Sequence, residues 1–450
     1  MRKYKKTFII DTNVILHDPN AANILSQNNS NLLIFPIVVL EELDKFKSGT
    51  TSINYNARVF IRKLENNEFD YEVDINSHTF PNEISLETSR SQDNKILACA
   101  YKHKGPNVFF VTKDVNLRMK AKAIKLAAQD YKSDKVEYIP YNGYSIISVE
   151  EELFNKIVSE TKISYEEFGN TITTNSNTAK PAVKSAKSKR TTKKISKPKD
   201  LLNLVPNQYL LLKNIKDDKQ RCLAFYSAAE GNIKIIESSS ATGVSPKNLE
   251  QTFALDALLN PNIPLVALTG ISGSGKTLLS LAAAIQNKKL YHQIYITRQT
   301  IPVGNDIGFL PGTMKEKLDP YLEPFYDNLK LLKTINGNSE KIQELLDKQK
   351  IEPIAITHSR GRSIPKVMLL VDEAQNSGMH ELKTLVTRAG VGTKVVLLGD
   401  LGQIDTPYLD KNSNGLTHVI NKFKGNKLFA YINLTKGERS ELAETASNIL

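Results

Sequence analysis

Cysteine is scarce in this sequence, and long apolar runs are absent from it. The two cysteines, Cys99 and Cys222, are far apart and lack the spacing of a metal site, which favours a reducing, cytoplasmic setting. No apolar run approaches the roughly 18–20 residues that a membrane-spanning helix needs. The N-terminal residues MRKYKKTFIID turn acidic before a signal-like apolar core develops. We therefore expect a cytoplasmic protein without a membrane partner.

The length and composition indicate more than one folded domain. A chain of 450 residues, of which 40% are hydrophobic and 24% charged, is too long for one ordinary core. Its mean hydropathy of −0.32 is typical of a globular protein. The net charge is +12, but residues 180–199 hold nine Lys or Arg and no acid, so the rest of the chain has a net charge of only +3. The basic excess is therefore mostly one local feature.

That basic segment lies in a stretch that cannot build a core. Residues 169–199 are rich in Ser, Thr, Asn, Lys and Pro and have few large apolar side chains, so they cannot bury enough surface to offset the entropy cost of ordering. We predict a disordered basic linker over residues 165–200. Its charges belong either to a solvated spacer or to a tether that binds nucleic acid without sequence preference.

Before the linker, short apolar runs alternate with amphipathic stretches, which predicts a small α/β domain with a mainly parallel sheet over residues 1–150. The predicted strands are 8–10, 32–35, 108–111 and 136–139, and predicted helices include 56–66 and 94–103. After the linker, residues 201–245 are predicted to form a small β-rich lead-in. Strands and helices then alternate again over 246–450, with predicted strands at 264–269, 293–297, 367–372, 394–400 and 429–434.

The second α/β region opens with a phosphate-binding loop. The pattern G-x-x-x-x-G-K-[ST] is matched by Gly270, Ile271, Ser272, Gly273, Ser274, Gly275, Lys276 and Thr277, with the strand PLVALT before it and the helix LLSLAAAIQ after it. Such glycines allow backbone N–H groups to surround phosphate oxygens, and the helix N-terminus favours the anion. We expect Lys276 to reach the β- and γ-phosphates of ATP and Thr277 to offer its hydroxyl to Mg²⁺.

A pair of acids completes the expected magnesium site. The apolar run VMLLV leads into Asp372 and Glu373. We expect Asp372 to hold Mg²⁺ through water and Glu373 to orient or deprotonate the attacking water. The alternative is a pair of acids at an ordinary helix start. Together with the P-loop, the two carboxylates favour ATP hydrolysis over nucleotide storage.

Further polar residues near strand ends are candidates for the same site. Gln403 follows the apolar run KVVLLG closely and is a candidate to sense the γ-phosphate or to position water. One arginine is expected to neutralise transition-state charge, and the candidates are Arg298, Arg360, Arg362, Arg388 and Arg439. The ordinary role of each arginine, taken singly, is a salt bridge.

With these motifs in place, residues 245–420 resemble the PhoH family of P-loop ATPases. The resemblance rests on NLEQTFALDALL, LVALTGISGSGKTLLSLAAA, ITRQTIPVGNDIGFLPGTMKEKLDPYLEPFYDNL, LLVDEAQN, TRAGVGTKVVLLGDLGQID and SNGL. It implies a core similar to that of superfamily 1 RNA helicases. In such a core Gln251 would recognise adenine, the acid pair would be motif II, and Gly399 and Asp400 with Gln403 would be motif III.

The same resemblance implies a ring-shaped homo-oligomer, with a hexamer as the expected size. In such a ring an arginine of one subunit completes the site of its neighbour. Residues 437–443, GERSELA, resemble the closing segment of longer family members. This makes Arg439 the candidate for the trans role.

Four acids of the first region stand at the boundaries of predicted elements. Asp11 and Asp114 follow strands, Glu42 comes just after another strand, and Asp93 opens a helix. The carboxyl ends of parallel strands meet at one edge of a sheet, so these side chains can converge there. Four carboxylates without cysteine or histidine favour Mg²⁺ or Mn²⁺, which can generate a hydroxide nucleophile for phosphodiester cleavage. Asn13 is expected to orient Asp11 or to touch substrate.

Each acid also has a plain structural alternative. Asp93 fits an ordinary helix N-cap, and Glu42 fits an acid in the first turn of a helix. Glu41 is the fallback ligand for Glu42, because one residue rotates the position on a helix by a large angle.

The four acidic blocks resemble a PIN domain over about residues 5–140. They are FIIDTN, PIVVLEEL, SQDNKILA and VTKD, in the family's order. The resemblance implies an RNase-H-like three-layer α/β fold, metal-ligand roles for the four acids and cleavage of single-stranded RNA that leaves a 3′-hydroxyl. Together with the second half, the whole chain resembles a PIN–PhoH fusion.

The leading hypothesis is an ATP-driven helicase and ribonuclease that acts on RNA. The ATPase would unwind or translocate RNA, and the PIN-like domain would cut the exposed strand with Mg²⁺ or Mn²⁺. One alternative is a regulatory RNA-binding ATPase whose PIN-like domain does not cleave. Another is a DNA-directed helicase or nuclease, since recognition of the sugar depends on surface geometry.

Overall fold

A computed structural model describes residues 4–49, 52–87, 91–131, 141–169, 204–299, 314–335, 337, 339–354, 363–406 and 409–438. The chain divides into two compact units. One is Met1–Glu137 with Pro407–Ser413, and the other is Tyr138–Thr406 with Asn414–Leu450. The predicted linker lies outside the described residues from 170 onward, so its disorder stays a prediction.

The first unit is built on a five-stranded parallel sheet of order β3-β2-β1-β4-β5. The strands are β1 (Thr7–Ile10), β2 (Leu32–Pro36), β3 (Tyr71–Asp74), β4 (Val108–Val111) and β5 (Ala128–Gln129). The helices are α1 (Thr12–His17), α2 (Ala21–Ser26), α3 (Ile37–Lys45), α4 (Ser52–Glu65), α5 (Gln92–Lys102) and α6 (Val115–Ala123). Central strand β1 is an unbroken apolar run because parallel strands are covered on both faces, and Ile9 and Ile10 are fully buried.

Two strands of this sheet, β3 and the two-residue β5, are not predicted from the sequence. β3 has the sequence YEVD, is only partly buried and forms an edge of the sheet, so its polar residues hide the apolar run that marks the inner strands. The strand predicted at 136–139 lies outside the described residues.

The second unit contains a small mixed sheet of order β6-β8-β9-β10-β7. Its strands are β6 (Tyr144–Val149), β7 (Lys162–Ser164), β8 (Tyr209–Asn214), β9 (Arg221–Ser227) and β10 (Asn232–Ile235), and α7 (Glu151–Glu160) packs against it. β6 runs parallel to β8. The other three neighbouring pairs, β8 with β9, β9 with β10 and β10 with β7, are antiparallel.

This sheet revises two predicted boundaries. Residues 144–149 were assigned to the first domain, but in the structure they pair with 209–214. The linker was expected from 165, but Phe168 is fully buried in the core of the mixed sheet. The β-rich module therefore draws on residues from both sides of the basic segment, a non-local pairing that local composition does not reveal.

The second unit also contains a six-stranded parallel sheet of order β13-β12-β14-β15-β11-β16. Its strands are β11 (Leu265–Gly270), β12 (Gln293–Arg298), β13 (Ile351–Pro353), β14 (Val367–Asp372), β15 (Lys394–Gly399) and β16 (Phe429–Leu434). The helices are α8 (Leu249–Leu259), α9 (Lys276–Gln286), α10 (Met314–Thr334), α11 (Ser339–Asp347), α12 (Met379–Val386) and α13 (Gly415–Phe423). Two cores lie on its opposite faces, as in a doubly wound sheet, so the predicted α/β class is confirmed.

Membrane-spanning helices are not found in the described part of the chain, where no helix combines the necessary length with sufficient apolar character.

Candidate nucleotide and metal sites

The phosphate-binding loop joins β11 to the N-terminus of α9. Gly270 and Gly275 have φ angles of +148° and +90°, which favour glycine. A Cβ on Gly270 would lie 2.3 Å from the Leu434 carbonyl oxygen, so that position has no room for a side chain. The buried Ser274 hydroxyl meets no hydrogen-bond partner among the residues that the structure describes. The loop has the backbone shape and the available polar groups that a bound phosphate requires.

Lys276 lies over this loop, with its Nζ donating to the carbonyl oxygens of Gly270 at 2.8 Å and Ile271 at 3.0 Å. Thr277 follows it in the first turn of α9 and is half-buried. An ammonium group and a hydroxyl therefore stand where the loop enters the helix, as the motif predicts. Their roles toward ATP and Mg²⁺ stay predictions.

Gln251 contacts the loop from α8. It is buried, and its Nε2 donates to the Ser274 carbonyl at 3.1 Å while its Oε1 accepts from the Lys247 N–H at 2.8 Å. The PhoH resemblance implies adenine recognition by this residue. The contacts in the structure instead connect Gln251 to the backbone of the P-loop, and the adenine role stays a prediction.

Asp372 ends β14 and Glu373 follows it, two strands from the P-loop strand. Burial raises the pKa of Asp372 to about 6, and the Glu373 carboxylate adds to the rise. The cations Arg298 and Lys276 oppose this shift. β11 and β14 run parallel in one sheet, so the P-loop and Asp372 both lie at the carboxyl-end edge of that sheet. A buried acid next to a second acid fits a site for a hard divalent cation.

Arg298 and Gln375 hold Glu373 from two sides. Arg298 lies opposite Asp372 in the register of β12 and β14, and its Nη2 is 3.1 Å from Glu373 Oε1. Gln375 is fully buried, and its Nε2 donates to Glu373 Oε2 at 2.6 Å. Glu373 itself has a φ of +51°, a strained value for a side-chain-bearing residue. The carboxylate is thus fixed in orientation.

Gln375 also connects β14 to the end of β15. Its Nε2 donates to the Gln403 carbonyl at 2.8 Å, and its Oε1 accepts from the Asp400 N–H at 3.0 Å. The exposed Gln403 side chain takes no part in these bonds, which use only its backbone. Sequence reasoning assigned no role to Gln375, although its place two residues after Glu373 was a usable signal.

The remaining arginine candidates divide into two groups. Arg360, Arg362 and Arg439 lie outside the described residues, and Arg388 lies two residues beyond the end of α12. The residue before Arg439 contacts the P-loop of its own chain, because the Glu438 N–H donates to the Gly273 carbonyl at 3.0 Å. The chain up to Glu438 therefore reaches the phosphate-binding loop.

In the first unit, Asp11 follows β1 and is 3% exposed. It occupies the N-cap position of α1 but its side chain makes no capping bond. Its Oδ2 accepts instead from the Thr112 hydroxyl at 2.5 Å, and the same hydroxyl accepts from the Asp114 N–H at 3.0 Å. Asn13 also connects the segments that follow β1 and β4, because its Oδ1 accepts from the Lys113 N–H at 3.0 Å. The ends of β1 and β4 are thus joined, as expected for adjacent parallel strands.

Glu42 reaches the same region from α3. Its Oε2 accepts from the Thr12 hydroxyl, next to Asp11 in sequence, and the side chain is half-buried. Glu41 is exposed. The geometry favours Glu42 over the fallback Glu41 as the candidate ligand.

The other two acids differ in how they relate to helix ends. Ser91, not Asp93, caps α5 by accepting from the Asn94 N–H, so the N-cap alternative for Asp93 is wrong. Asp93 is exposed in the first turn. Asp114 does cap α6, where its Oδ1 accepts from the N–H groups of Asn116 at 2.7 Å and Leu117 at 3.1 Å.

The pKa of Asp11 reflects its burial and two other acids of the first unit. Burial raises the pKa of Asp11 to about 7, although the Thr112 hydrogen bond lowers it. The carboxylates of Asp93 and Glu42 add to the rise. A cation would relieve this repulsion, so the donor set fits Mg²⁺ or Mn²⁺.

Two family models and several curated proteins match this chain. The chain matches the PIN domain family over residues 8–132 and the PhoH-like protein family over 243–450. It is 35% identical to protein PhoH2 of Bacillus subtilis over 475 aligned positions, covering 99% of this chain and 100% of the relative. The chain belongs to the PhoH2 family. A PhoH2 protein of Thermobispora bispora is 27% identical, with 99% of this chain and 96% of the relative covered.

Among solved structures, the Pif1 helicase of Candida albicans is 16% identical and aligns with 46% of this chain and 43% of its own, with a TM-score of 0.26. The expected combination of a PIN domain with a PhoH-like P-loop domain in one PhoH2 chain is confirmed by the family matches.

Proposed function

We propose that this protein is an ATP-dependent RNA helicase and ribonuclease. ATP hydrolysis at the P-loop site unwinds or translocates RNA, and the PIN domain cleaves single-stranded RNA. The observation that supports this most directly is the presence of two acidic sites on one chain. Asp372 and the Lys276 loop lie at the same edge of one parallel sheet, and the carboxylates of Asp93 and Glu42 raise the pKa of Asp11. We further propose a cytoplasmic homo-oligomer, with a hexameric ring as the expected form.

At the P-loop site, Mg²⁺ would be held by Thr277 and Asp372 and would neutralise phosphate charge. The N–H groups of residues 270–277 and the Lys276 ammonium group bind the phosphates. Glu373 orients the attacking water and accepts its proton, while Arg298 and Gln375 keep the Glu373 carboxylate in place. Gln403 is proposed to sense the γ-phosphate, because the Gln375 bonds link its backbone to Glu373.

At the PIN site, the proposed ligands of Mg²⁺ or Mn²⁺ are Asp11, Glu42, Asp93 and Asp114. The bound cation would supply an activated water and stabilise the leaving oxygen of the phosphodiester. Thr112 and Thr12 orient two of these carboxylates through their hydroxyl groups. Asn13 keeps the ends of β1 and β4 together, so the ligands remain aligned.

The nuclease half is tested with matched single-stranded RNA and DNA, with and without ATP and Mg²⁺ or Mn²⁺. We expect metal-dependent cleavage of RNA by the wild type and a loss of at least about 100-fold in Asp11→Asn and Asp93→Asn. Glu41→Gln, one residue from Glu42 and exposed, is the matched control and should cleave normally. Equal cleavage by Asp11→Asn would refute the metal-site assignment. Cleavage of DNA alone, or ATP turnover without cleavage, would favour one of the alternative functions.

The ATPase half is tested by Lys276→Ala, which removes the ammonium group that lies over the P-loop. We expect ATP turnover to fall to background, since Lys276 is the cation that the P-loop motif supplies to the β- and γ-phosphates. Cleavage of unstructured RNA by this variant should persist, because the PIN ligands are untouched. Unchanged ATP turnover would refute the P-loop assignment.

A further inference from the structure

A second group of metal-type ligands lies in the first unit, apart from the four acids. Asp74, His78, Cys99 and His103 each offer one ligand atom, and these atoms all lie within 4.8 Å of one another. Asp74 ends the edge strand β3, His78 follows it four residues later, and Cys99 and His103 come from α5 and its C-cap. The i, i+4 spacing of Cys99 and His103 puts both side chains on one face of the helix.

The four side chains converge on one carboxylate oxygen. Asp74 Oδ2 lies 2.8 Å from His78 Nε2, 2.7 Å from His103 Nε2 and 3.4 Å from Cys99 Sγ. Three potential donors thus compete for an oxygen that has about two lone-pair directions. The other oxygen, Oδ1, accepts from the Asn76 backbone N–H at 3.0 Å, which fixes the carboxylate so that Oδ2 points into the cluster. A cation would turn the same four atoms from competing groups into ligands.

Most of the cluster is shielded from solvent. Cys99 is 3% exposed, and the side chains of Asp74 and His78 are 7% and 15% exposed. The His103 side chain is the most open, at 31%, and provides a path for an ion to enter. Buried polar groups of this kind need partners, and two imidazoles, a thiol and a carboxylate are the ligand types of zinc rather than of magnesium.

We propose that Asp74, His78, Cys99 and His103 bind one Zn²⁺ in a closed, four-coordinate structural site. Binding replaces the Cys99 thiol proton by the metal and releases that proton to solvent. Because all four ligands come from the protein, the site has no open position for a substrate water, which distinguishes structural from catalytic zinc.

This site is separate from the proposed nuclease centre. Strand register aligns Pro36 with Asp74 on neighbouring strands, and β1 lies on the other side of β2. Two inter-strand spacings give roughly 10 Å between the ends of β3 and β1. The ion would cross-link edge strand β3 to α5, and the first turn of α5 contains Asp93.

The first experiment measures zinc in the purified full-length chain by mass spectrometry of the metal after dialysis against a weak chelator. We expect about one zinc per chain in the wild type, since a complete set of four ligands is present. Cys99→Ser and His103→Gln should bind zinc at least about 100-fold more weakly. Cys222→Ser, which changes the other cysteine, and Asp11→Asn, which changes the neighbouring acidic site, should both retain the ion. Zinc retention in Cys99→Ser, or no zinc uptake by the wild type, would overturn the proposal.

A second measurement does not depend on any variant folding correctly. Replacing zinc by Co²⁺ in the wild type should give the near-ultraviolet charge-transfer band of a cobalt–thiolate bond and the intense visible bands of tetrahedral cobalt. Removal of the metal should lower the Tm, and added Zn²⁺, but not Mg²⁺, should restore it. Octahedral cobalt without a thiolate band, or a Tm that is indifferent to chelation, would contradict a structural zinc site.

Discussion

Thr112 is the residue at which the two halves of the PIN site meet. Its hydroxyl donates to Asp11 Oδ2 and accepts from the Asp114 N–H, so one oxygen connects the ends of β1 and β4. The side chain is fully buried. Solvent water therefore does not reach the hydroxyl to take the place of these hydrogen bonds. The position of Asp11 relative to the other candidate ligands therefore depends on a residue that is not itself a proposed ligand.

Thr112→Val removes this hydroxyl while keeping the shape of the side chain. We expect the metal-free protein to lose about 1–3 kcal/mol of unfolding free energy, because the Asp114 N–H and a buried carboxylate lose their partner. RNA cleavage should fall at least about tenfold, with ATP turnover unchanged. Chemical denaturation and the two activity assays measure these effects.

Thr112→Ser is the matched control, since it keeps the hydroxyl and loses only a methyl group. It should lie close to the wild type in cleavage. If the valine and serine variants cleave equally well, the hydrogen bonds of Thr112 do not position Asp11.

At the scale of elements, the end of β14 is coupled to the end of β15 through the amide of Gln375. This side chain binds Glu373, the Gln403 carbonyl and the Asp400 N–H at once. The P-loop lies on β11, on the far side of β15 from β14. A change at Gln375 should therefore disturb Glu373, which orients the attacking water, more than it disturbs the phosphate-binding loop.

Gln375→Met keeps the side-chain length and removes the amide. We expect kcat for ATP hydrolysis to fall about 10- to 100-fold while KM changes little, since Glu373 loses an orienting bond and the phosphate-binding loop does not. Steady-state kinetics separate the two constants. Gln343→Met, on the surface of α11, is the control for a general effect of the substitution. A raised KM with an unchanged kcat would assign Gln375 to nucleotide binding instead.

The helices and strands also show which features can be predicted from the sequence and which cannot. Residues 270–277 and the acid pair at 372–373 lie at strand ends as predicted, because each belongs to a contiguous motif next to a strand that is buried throughout. β6 and β3 were misassigned or missed, because their pairing partners are distant in sequence and their own residues are mixed in polarity. Cys99 was judged to lack metal-like spacing for the same reason, since its neighbours in the cluster are two histidines and an aspartate from other positions in the chain.

At the scale of the whole molecule, the residue before Arg439 lies against the phosphate-binding loop. Glu438 contacts Gly273 of its own chain, and Asn248 Nδ2 donates to Glu438 Oε1 at 3.0 Å. Arg439 comes next in sequence. Arg439 itself lies outside the described residues. In the proposed ring it serves the site of a neighbouring subunit, and the alternative is a role in the site of its own subunit. The two arrangements differ in one measurable respect, which is whether two inactive variants can restore each other.

We predict that Arg439→Ala and Lys276→Ala are each inactive alone and recover activity when co-expressed with different tags and purified through both. A site needs an intact P-loop from one subunit and an intact arginine from the next, because head-to-tail contacts form the ring. Random assembly from equal amounts then gives about one quarter of the sites a complete set, and ATP turnover should recover to about that fraction of the wild type. Two differently tagged Lys276→Ala chains form the control and should stay inactive. A doubly tagged assembly without recovered turnover would place Arg439 in its own subunit's site, and failure to isolate both tags together would contradict the ring itself.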